Sequence, residues 1–266
     1  MNGQVVTITS GKGGVGKTTT TANLGLALAS LGQKVVCIDS DIGLRNLDVV
    51  MGLENRIVYD LIDAIEGRCR LSQAMIRDKR HPSLHLIPAA QTRDKSAISP
   101  SDMVKLCDAI KTEVDWILID SPAGIERGFR NALGPADLVL VVTNPEVSAV
   151  RDADRIIGLV EADEKASAKL IINRLNNILV KRGDMLSAED VVELLAIPLL
   201  GIVPEDEAVL ISSNHGQPVV LNGKSKAGSA FLNISRRLLG EDIPMESLDE
   251  KEGLFNRLGK LFAGGN

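Results

Sequence analysis

Aromatic residues are scarce in this chain of 266 residues: it contains one tryptophan, one tyrosine and four phenylalanines, or 2% in all. Proteins that bind single-stranded nucleic acid stack the bases on aromatic side chains, so this mode of binding is not expected here. An excess of basic charge is also lacking, since the formal net charge is -5 and segment 241–252 alone carries six acidic residues and one lysine. The nearly neutral remainder gives no sequence-level support for a nucleic-acid-binding face.

Cysteines and long apolar runs are few as well. The three cysteines, Cys37, Cys69 and Cys107, are dispersed and form no C-x-x-C pair, which is typical of reduced thiols in a cytosolic protein. No apolar run approaches the roughly 20 residues that span a bilayer. The first residues lack the basic region and apolar stretch of a secretory signal. We therefore expect a cytoplasmic protein.

One glycine-rich stretch stands out against this background. It follows an apolar run, precedes a helical pattern and matches the spacing G-x-x-x-x-G-K-[ST], which is the phosphate-binding loop when it joins a strand to a helix. Its residues, with the first residue of the helical pattern, are Gly11, Lys12, Gly13, Gly14, Val15, Gly16, Lys17, Thr18 and Thr19. The glycines let successive N–H groups face one anion, Lys17 can reach the outer phosphates, and the Thr18 hydroxyl can ligate Mg²⁺. A chance glycine-rich turn is the alternative, which the strand–loop–helix context disfavours.

A second lysine, Lys12, lies inside this loop and precedes Lys17 by five positions. A phosphate-binding loop of the plain type requires no charge at this position. The residues alone leave two interpretations open. Lys12 is either a solvated surface lysine or a second cation that neutralises the charge developing on a transferred phosphoryl group, as an arginine finger does.

Carboxylates follow two other strand-like runs. Asp39 and Asp41 come after the run 34–38, and Asp120 ends the run 116–120 in the pattern of a Walker B strand. Such a strand delivers one carboxylate to Mg²⁺, usually through water. The alternatives are helix caps, strand-terminal turn residues or surface acids.

Strand-like apolar runs alternate with helical patterns, which predicts an α/β fold with a doubly wound, mostly parallel sheet flanked by helices. The predicted strands are 5–9, 34–38, 84–88, 116–120, 138–143, 169–173 and 199–203. The predicted helices include 18–31, 101–111, 147–161, 188–195 and 227–239. The motifs all follow strands, and ligands of such sheets bind at the carboxyl ends of the strands.

The only clear boundary lies near residue 240. We predict a nucleotide-binding domain over 1–240, an acidic flexible tether over 241–252 and a C-terminal amphipathic helix within 253–266. The apolar residues of this tail have the spacing of one helix face, with two basic residues towards the other side. They are Leu254, Phe255, Leu258, Leu261 and Phe262, with Arg257 and Lys260. Such a helix would bind an anionic membrane surface, and packing as a last core helix is the alternative.

The sequence KGGVGKTT at 12–19 resembles the deviant Walker A (ParA/MinD) family of P-loop ATPases. The resemblance implies an ATP- and Mg²⁺-dependent homodimer in which Lys12 reaches the nucleotide of the partner subunit. It implies that Asp41, in the first switch region, positions the attacking water, and that Asp39 supports the magnesium or the phosphate-binding loop.

The same resemblance extends to the later strand ends. The segment 121–124 resembles the second switch region, where Gly124 can bring a backbone N–H to the γ-phosphate. Asn173, Pro204 and Asp206 match the two segments that wall the adenine, and an amide such as Asn173 can both donate to and accept from the base.

Further segments resemble the septum-site-determining members of the family over nearly the whole chain, among them DIGLRNLDVVMGLE at 41–54 and TNPEVSAVRDADRI at 143–156. The resemblance implies a peripheral ATPase on the inner face of the cell membrane that recruits the division inhibitor MinC and is stimulated by MinE. Arg45, Asn46, Asp152 and Asp154 match the face used by these partners. A solvated helix face explains the last two aspartates equally well without the family.

Other functions compete with this one. An electron-transfer reductase of the iron-protein type needs cysteines after the Walker B strand to hold a cluster, and none of the three lies there. A ParA-type DNA-partition ATPase needs a basic surface and salt-dependent DNA binding, against which the nearly neutral body argues weakly. A nucleotide-gated scaffold without turnover is disfavoured by the intact set Lys17, Thr18, Asp41 and Asp120.

Overall fold

The computed structural model describes residues 3–93, 97–163 and 166–245, and a sheet of eight strands forms its centre. The strands are β1 (Gln4–Thr9), β2 (Val35–Asp39), β3 (Ile76–Arg77), β4 (Leu84–Ile87), β5 (Trp116–Asp120), β6 (Leu138–Thr143), β7 (Ser167–Leu175) and β8 (Leu199–Pro204). Their order is β3-β4-β2-β5-β1-β6-β7-β8, and all neighbours pair in parallel except β3 and β4. The predicted doubly wound, mostly parallel sheet is confirmed.

The central strands are buried on both faces, which is why their sequences read as continuous apolar runs. Every residue of β2, β5 and β6 is buried, as is β1 after its first residue. The first strand lies between β5 and β6 in the middle of the sheet. The loop that follows β1 therefore emerges at the centre of the carboxyl edge.

Eleven α-helices occur within the described ranges. They are α1 (Lys17–Ser30), α2 (Leu47–Met51), α3 (Leu61–Ile65), α4 (Leu71–Ala74), α5 (Pro100–Ile110), α6 (Arg127–Leu133), α7 (Val147–Asp163), α8 (Asn177–Arg182), α9 (Ala188–Leu195), α10 (Glu207–Asn214) and α11 (Lys226–Leu238). Local sequence fixes several of their starts. Ser99 with Asp102, and Ser187 with Asp190, form capping boxes before α5 and α9, which satisfy N–H groups that the first helical turn leaves open.

The helices cover both faces of the sheet. On one face α1, α2 and α11 share a core with the strands, in which Leu24, Met51 and Phe231 are fully or almost fully buried. On the other face α5, α6, α7 and α9 contribute two further clusters, with Leu106 in one and Ile156 in the other. Close packing on both faces leaves the carboxyl edge as the place for a ligand.

One short strand was not predicted, and part of the predicted C-terminal region lies outside the described residues. The two-residue strand β3 was not expected, because such a short antiparallel edge has no periodicity to detect. Helix α11 ends at Leu238, and Gly240 has a positive φ of 87°, close to the predicted boundary. The predicted tail 253–266 and most of the tether lie outside the described residues.

Candidate functional site

The glycine-rich loop joins β1 to α1 at the carboxyl edge, as its spacing predicts. Gly14 and Gly16 have φ values of 78° and 105°, which side chains strongly disfavour. A Cβ atom at Gly13 or Gly14 would meet no atom within 4 Å, so this side of the loop is open to a ligand. A Cβ atom at Gly11 would collide with the backbone of Asp152 in α7. The loop is thus open towards the phosphate side and closely packed behind.

Asn173 supports the loop from β7, which β6 separates from β1 in the sheet. Its side-chain amide donates to the backbone oxygen of Val15 at 2.7 Å, and a Cβ atom at Gly16 would collide with that amide nitrogen. The residue is buried at the end of the strand. The amide predicted to recognise adenine therefore makes its observed contact with the phosphate-binding loop.

Thr18 and Asp120 meet beneath the loop. The Thr18 hydroxyl donates to Oδ2 of Asp120 at 2.7 Å, and the Thr21 hydroxyl approaches Oδ1 at 3.5 Å. Burial, together with the nearby Asp39 carboxylate, raises the pKa of Asp120 to about 8, although Thr18 and Lys17 oppose the shift. Sequence reasoning missed Thr21, one helical turn after Lys17, where a hydroxyl reaches the same carboxylate.

These residues fit magnesium. A hydroxyl oxygen and a carboxylate oxygen lie together beside an open anion cradle, and Mg²⁺ in phosphate sites takes one or two protein oxygens together with phosphate oxygens and water. Crowded carboxylates whose pKa values rise on burial also favour a cation. Across the described ranges no cluster of three or more histidine, cysteine, aspartate or glutamate side chains forms a metal cage by itself.

Lys17 is the buried cation of the site. Its exposed fraction is 8%. Burial lowers its pKa, and the negative charges of Asp120 and Asp41 counter that effect. Lys17 is thus a buried cation beside two carboxylates at the loop. The arrangement suits a compact cation facing phosphate oxygens.

Asp39 organises the loop that follows β2. Its Oδ1 accepts the N–H of Asp41 at 2.9 Å, and its Oδ2 accepts those of Asn46 and Leu47, both at 3.1 Å. Burial raises its pKa to about 6, while these backbone donors oppose the shift. Its observed partners are thus the backbone of the first switch region, which ends in α2. Asp41 itself is half-buried, close enough to Lys17 to influence it.

The Lys12 side chain contacts residues of another element. Its Nζ lies 3.3 Å from the Ser148 hydroxyl and 3.8 Å from the Glu146 carboxylate, and 47% of the side chain is exposed. Both partners belong to the segment that opens α7. Sequence reasoning did not single out Glu146 or Ser148, although they follow the end of β6 as Asp41 follows β2.

The remaining predicted residues lie around the same edge. The Gly124 N–H donates to Ser10 O at 3.3 Å, and its φ is 86°. Pro204 ends β8, and Asp206 caps α10 through Ala208 N at 2.9 Å. Oδ2 of Asp206 also accepts from the Ser225 hydroxyl at 2.7 Å. Burial alone would raise the pKa of Asp206, but its hydrogen bonds hold that pKa below the usual value.

The predicted partner face divides into two places. Arg45 has a positive φ of 45° and an ion pair with buried Asp48, with 3.0 Å between Nε and Oδ2, and Asn46 is exposed beside it. Asp152 and Asp154 lie on α7, where Asp154 is exposed and the Asp152 backbone packs on Gly11.

The predicted membrane residues 254–262 lie outside the described ranges. Within those ranges, no helix combines the length and apolar character needed to cross a membrane.

Comparison with known proteins places this site in a family. Residues 6–219 match the model of the CobQ/CobB/MinD/ParA nucleotide binding domain. The septum site-determining protein MinD of Bacillus subtilis is 52% identical over 263 residues, which cover 98% of each chain. A chain of the MinC:MinD cell division protein complex of Aquifex aeolicus is 51% identical with a TM-score of 0.85, over 92% of this chain and 98% of that one.

A more distant structure carries a nucleotide. The septum site-determining protein MinD of Pyrococcus horikoshii, complexed with Mg-ADP, is 28% identical with a TM-score of 0.79, over 90% of this chain and 99% of that one. The phosphate-binding loop, its buried lysine and the hydroxyl–carboxylate pair are the parts that such a ligand needs. This chain therefore belongs to the MinD family of septum-site-determining proteins, within the P-loop ATPases.

Proposed function

We propose that this protein hydrolyses ATP with Mg²⁺ as a homodimer on the inner face of the cell membrane and marks the division site by recruiting a division inhibitor. The observation that carries the proposal is the contrast between two lysines of one loop. Lys17 is buried among carboxylates, whereas Lys12 is half-exposed and rests against Glu146 and Ser148. A cation in that position can serve a second subunit.

In this mechanism the loop N–H groups and Lys17 hold the β- and γ-phosphates. Thr18 would ligate Mg²⁺ and Asp120 would hold it through water, with Asp39 behind them; the bound ion would offset the negative charge that develops on the phosphates. Asp41 lies on the loop opposite Lys17 and orients the attacking water. Lys12 of the partner subunit supplies the charge that an arginine finger supplies elsewhere.

Hydrolysis would release the dimer through the two switch regions. The loop carrying Asp41 is tied to Asp39, and the loop carrying Gly124 is tied to Ser10. In the ATP state the Gly124 N–H would turn from Ser10 O to the γ-phosphate. Loss of that phosphate removes the new contact and restores the old one, which is a two-state device of the kind that nucleotide switches use.

Residues at the carboxyl ends of β7 and β8 would recognise the adenine base. Asn173 lies near the end of β7 and bonds to the phosphate-binding loop, while Pro204 ends β8 and Asp206 follows it. Their observed bonds to the loop, α10 and α11 would hold the adenine wall in shape.

Membrane attachment would use the tail. Burying its five large apolar side chains contributes roughly 8–12 kcal/mol, whereas ordering about ten residues costs on the order of 10–15 kcal/mol. One tail alone would therefore bind the membrane only marginally. Two tails on one dimer act together, because the second binds at an effective concentration near about 1 mM. Membrane binding would therefore depend on ATP, because ATP forms the dimer that carries two tails.

The partners would bind where the switch region and α7 approach the loop. Arg45 and Asn46 lie on the switch region, and Asp152 and Asp154 lie on α7. A similar chain occurs in a MinC:MinD complex, which supports MinC as the recruited inhibitor. MinE, as the activator that speeds hydrolysis, would compete for the same face.

Co-sedimentation with vesicles of phosphatidylcholine and phosphatidylglycerol tests the proposal. We expect binding with ATP but not with ADP, weakened by salt, together with release of phosphate. Phe255→Glu should abolish vesicle binding and keep ATP binding, whereas Asn256→Glu, which adds the same charge outside the apolar face, should weaken it much less. Equal sedimentation in ATP and ADP would contradict the proposal, and steep salt-dependent binding to a DNA fragment would favour a partition ATPase instead.

A further inference from the structure

The short helix α2 is held from outside at both of its ends. It has five residues, too few for a stable helix in isolation, so its place depends on its neighbours. At its start, Asp39 accepts the N–H groups of Asn46 and Leu47. At its end, Arg80 donates through Nη2 to the backbone oxygen of Met51 at 2.6 Å. A carboxylate at the start and a guanidinium at the end both match the helix dipole.

Arg80 is itself fixed by a buried carboxylate. Its Nε and Nη2 donate to the two oxygens of Asp78, at 3.1 and 2.6 Å, and the Asp78 side chain is fully buried. Burial alone would raise the pKa of Asp78, but the hydrogen bonds from Arg80 and from the His81 N–H hold that pKa below its usual value. The guanidinium is therefore held in one orientation by Asp78, with Nη2 also reaching the end of α2.

The same guanidinium ties α2 to a third element. Nη1 of Arg80 donates to the backbone oxygen of Gly216, in the turn after α10, at 3.1 Å. Gly52, which ends α2, packs directly on this turn, and a Cβ atom on Gly216 would lie 2.7 Å from the Gly52 Cα. Gly52 and Gly216 both have positive φ, at 65° and 62°. The backbones of Gly52 and Gly216 therefore meet without a side chain between them, and the Arg80 side chain bonds to both segments.

A continuous series of hydrogen bonds and one short helix thus connects Arg80 to Asp41. Its steps are Arg80 to Met51, α2 to Leu47, Leu47 to Asp39, and Asp39 to the N–H of Asp41. We propose that Arg80 is a positioning residue that acts through α2 to hold Asp41 in place for hydrolysis. This inference rests on the proposed ATPase function, and within the described residues no hydrogen bond or ion pair joins Arg80 or Gly216 to the phosphate-binding loop.

The test compares two arginines that both donate to backbone oxygens. Arg80→Met keeps the apolar stem and removes the fork. Arg237→Met is the matched control, since Arg237 donates to Leu200, Ile243 and Pro244 near the amino end of β8, on the opposite edge of the sheet. Steady-state ATP hydrolysis and hydrogen–deuterium exchange of peptides covering 40–50 are measured for each variant.

For Arg80→Met we expect kcat to fall on the order of tenfold to a hundredfold, since a displaced catalytic group costs that much, with KM for ATP little changed. Arg80→Lys should recover part of kcat, because a lysine keeps the charge without the fork. Gly216→Ala, which pushes α2 away and leaves every charge in place, should act in the same direction as Arg80→Met. In both, exchange at 40–50 should rise, and Arg237→Met should match the parent.

Parent-like kcat and parent-like exchange in Arg80→Met and Gly216→Ala would overturn the inference. An equal loss of kcat in Arg237→Met would also overturn it, because the effect would then be general destabilisation. If Arg80→Met does not fold, Arg80→Lys and Gly216→Ala decide by the same two measurements. If the parent protein hydrolyses no ATP, the proposed function fails, and exchange at 40–50 still decides whether Arg80 holds the switch region.

Discussion

The two lysines of the phosphate-binding loop differ in almost every respect but their chemistry. Lys17 opens α1, is 8% exposed and lies among carboxylates that offset the effect of burial on its pKa. Lys12, five positions earlier, is 47% exposed and rests against Glu146 and Ser148 of another element. One lysine is committed to its own site by burial, and the contacts of the other within the described residues are weak surface contacts. This is what a cation destined for another subunit requires, since it must be free to leave.

The sharpest way to test this contrast is to remove each cation by the same substitution. Lys17→Ala should weaken ATP binding by roughly 100-fold or more, because charge-assisted hydrogen bonds to the phosphates are lost. Hydrolysis and dimerisation should be lost with it. Titration with a fluorescent ATP analogue measures the affinity. Tight binding by this variant would show that the loop does not depend on its buried lysine.

Lys12→Ala is the matched variant in the same loop. It should bind ATP as the parent does, since Lys17 remains as the buried cation of the loop and Lys12 contacts Glu146 and Ser148 instead. Hydrolysis should fall by on the order of 1,000-fold, as when an arginine finger is removed. Size-exclusion chromatography with ATP should show a monomer. Parent-like hydrolysis and dimerisation would make Lys12 an ordinary surface lysine.

Asp41→Ala changes the carboxylate that faces Lys17 rather than the cation. Hydrolysis should fall by on the order of 100-fold or more, because the attacking water loses its orienting group. ATP binding should persist, and the dimer should accumulate instead of dissociating. Phosphate release and chromatography with ATP distinguish this variant from Lys12→Ala. A monomer with full activity would remove Asp41 from the mechanism.

Glu146→Gln should have the smallest effect. An exposed ion pair contributes about 0.2–1 kcal/mol, so freeing Lys12 from Glu146 should favour the ATP dimer by only about 1.4- to 5-fold. The midpoint of dimerisation against protein concentration measures this shift. A much larger gain would mean that Glu146 holds Lys12 far more firmly than an exposed carboxylate can.

The sequence alone determined the fold class and the position of the glycine-rich loop between β1 and α1. Buried parallel strands must be apolar throughout, so the runs ending at Thr9, Asp120 and Thr143 revealed the central strands directly. A phosphate cradle needs glycines at defined spacing next to a strand end, so Gly11–Thr18 was identifiable without coordinates. Both rules are local, because they depend on residues close together in the sequence.

Only the tertiary structure decided which residues the side chains of the site contact. The direction of Lys12, the contact of Asn173 with Val15 and the convergence of Arg80, Met51 and Gly216 join residues far apart in sequence. No period or spacing encodes such contacts, because they depend on how strands and helices pack in three dimensions. The short strand β3 and the five-residue α2 were equally beyond sequence reasoning. Elements of that length are stable only through what the rest of the fold places around them.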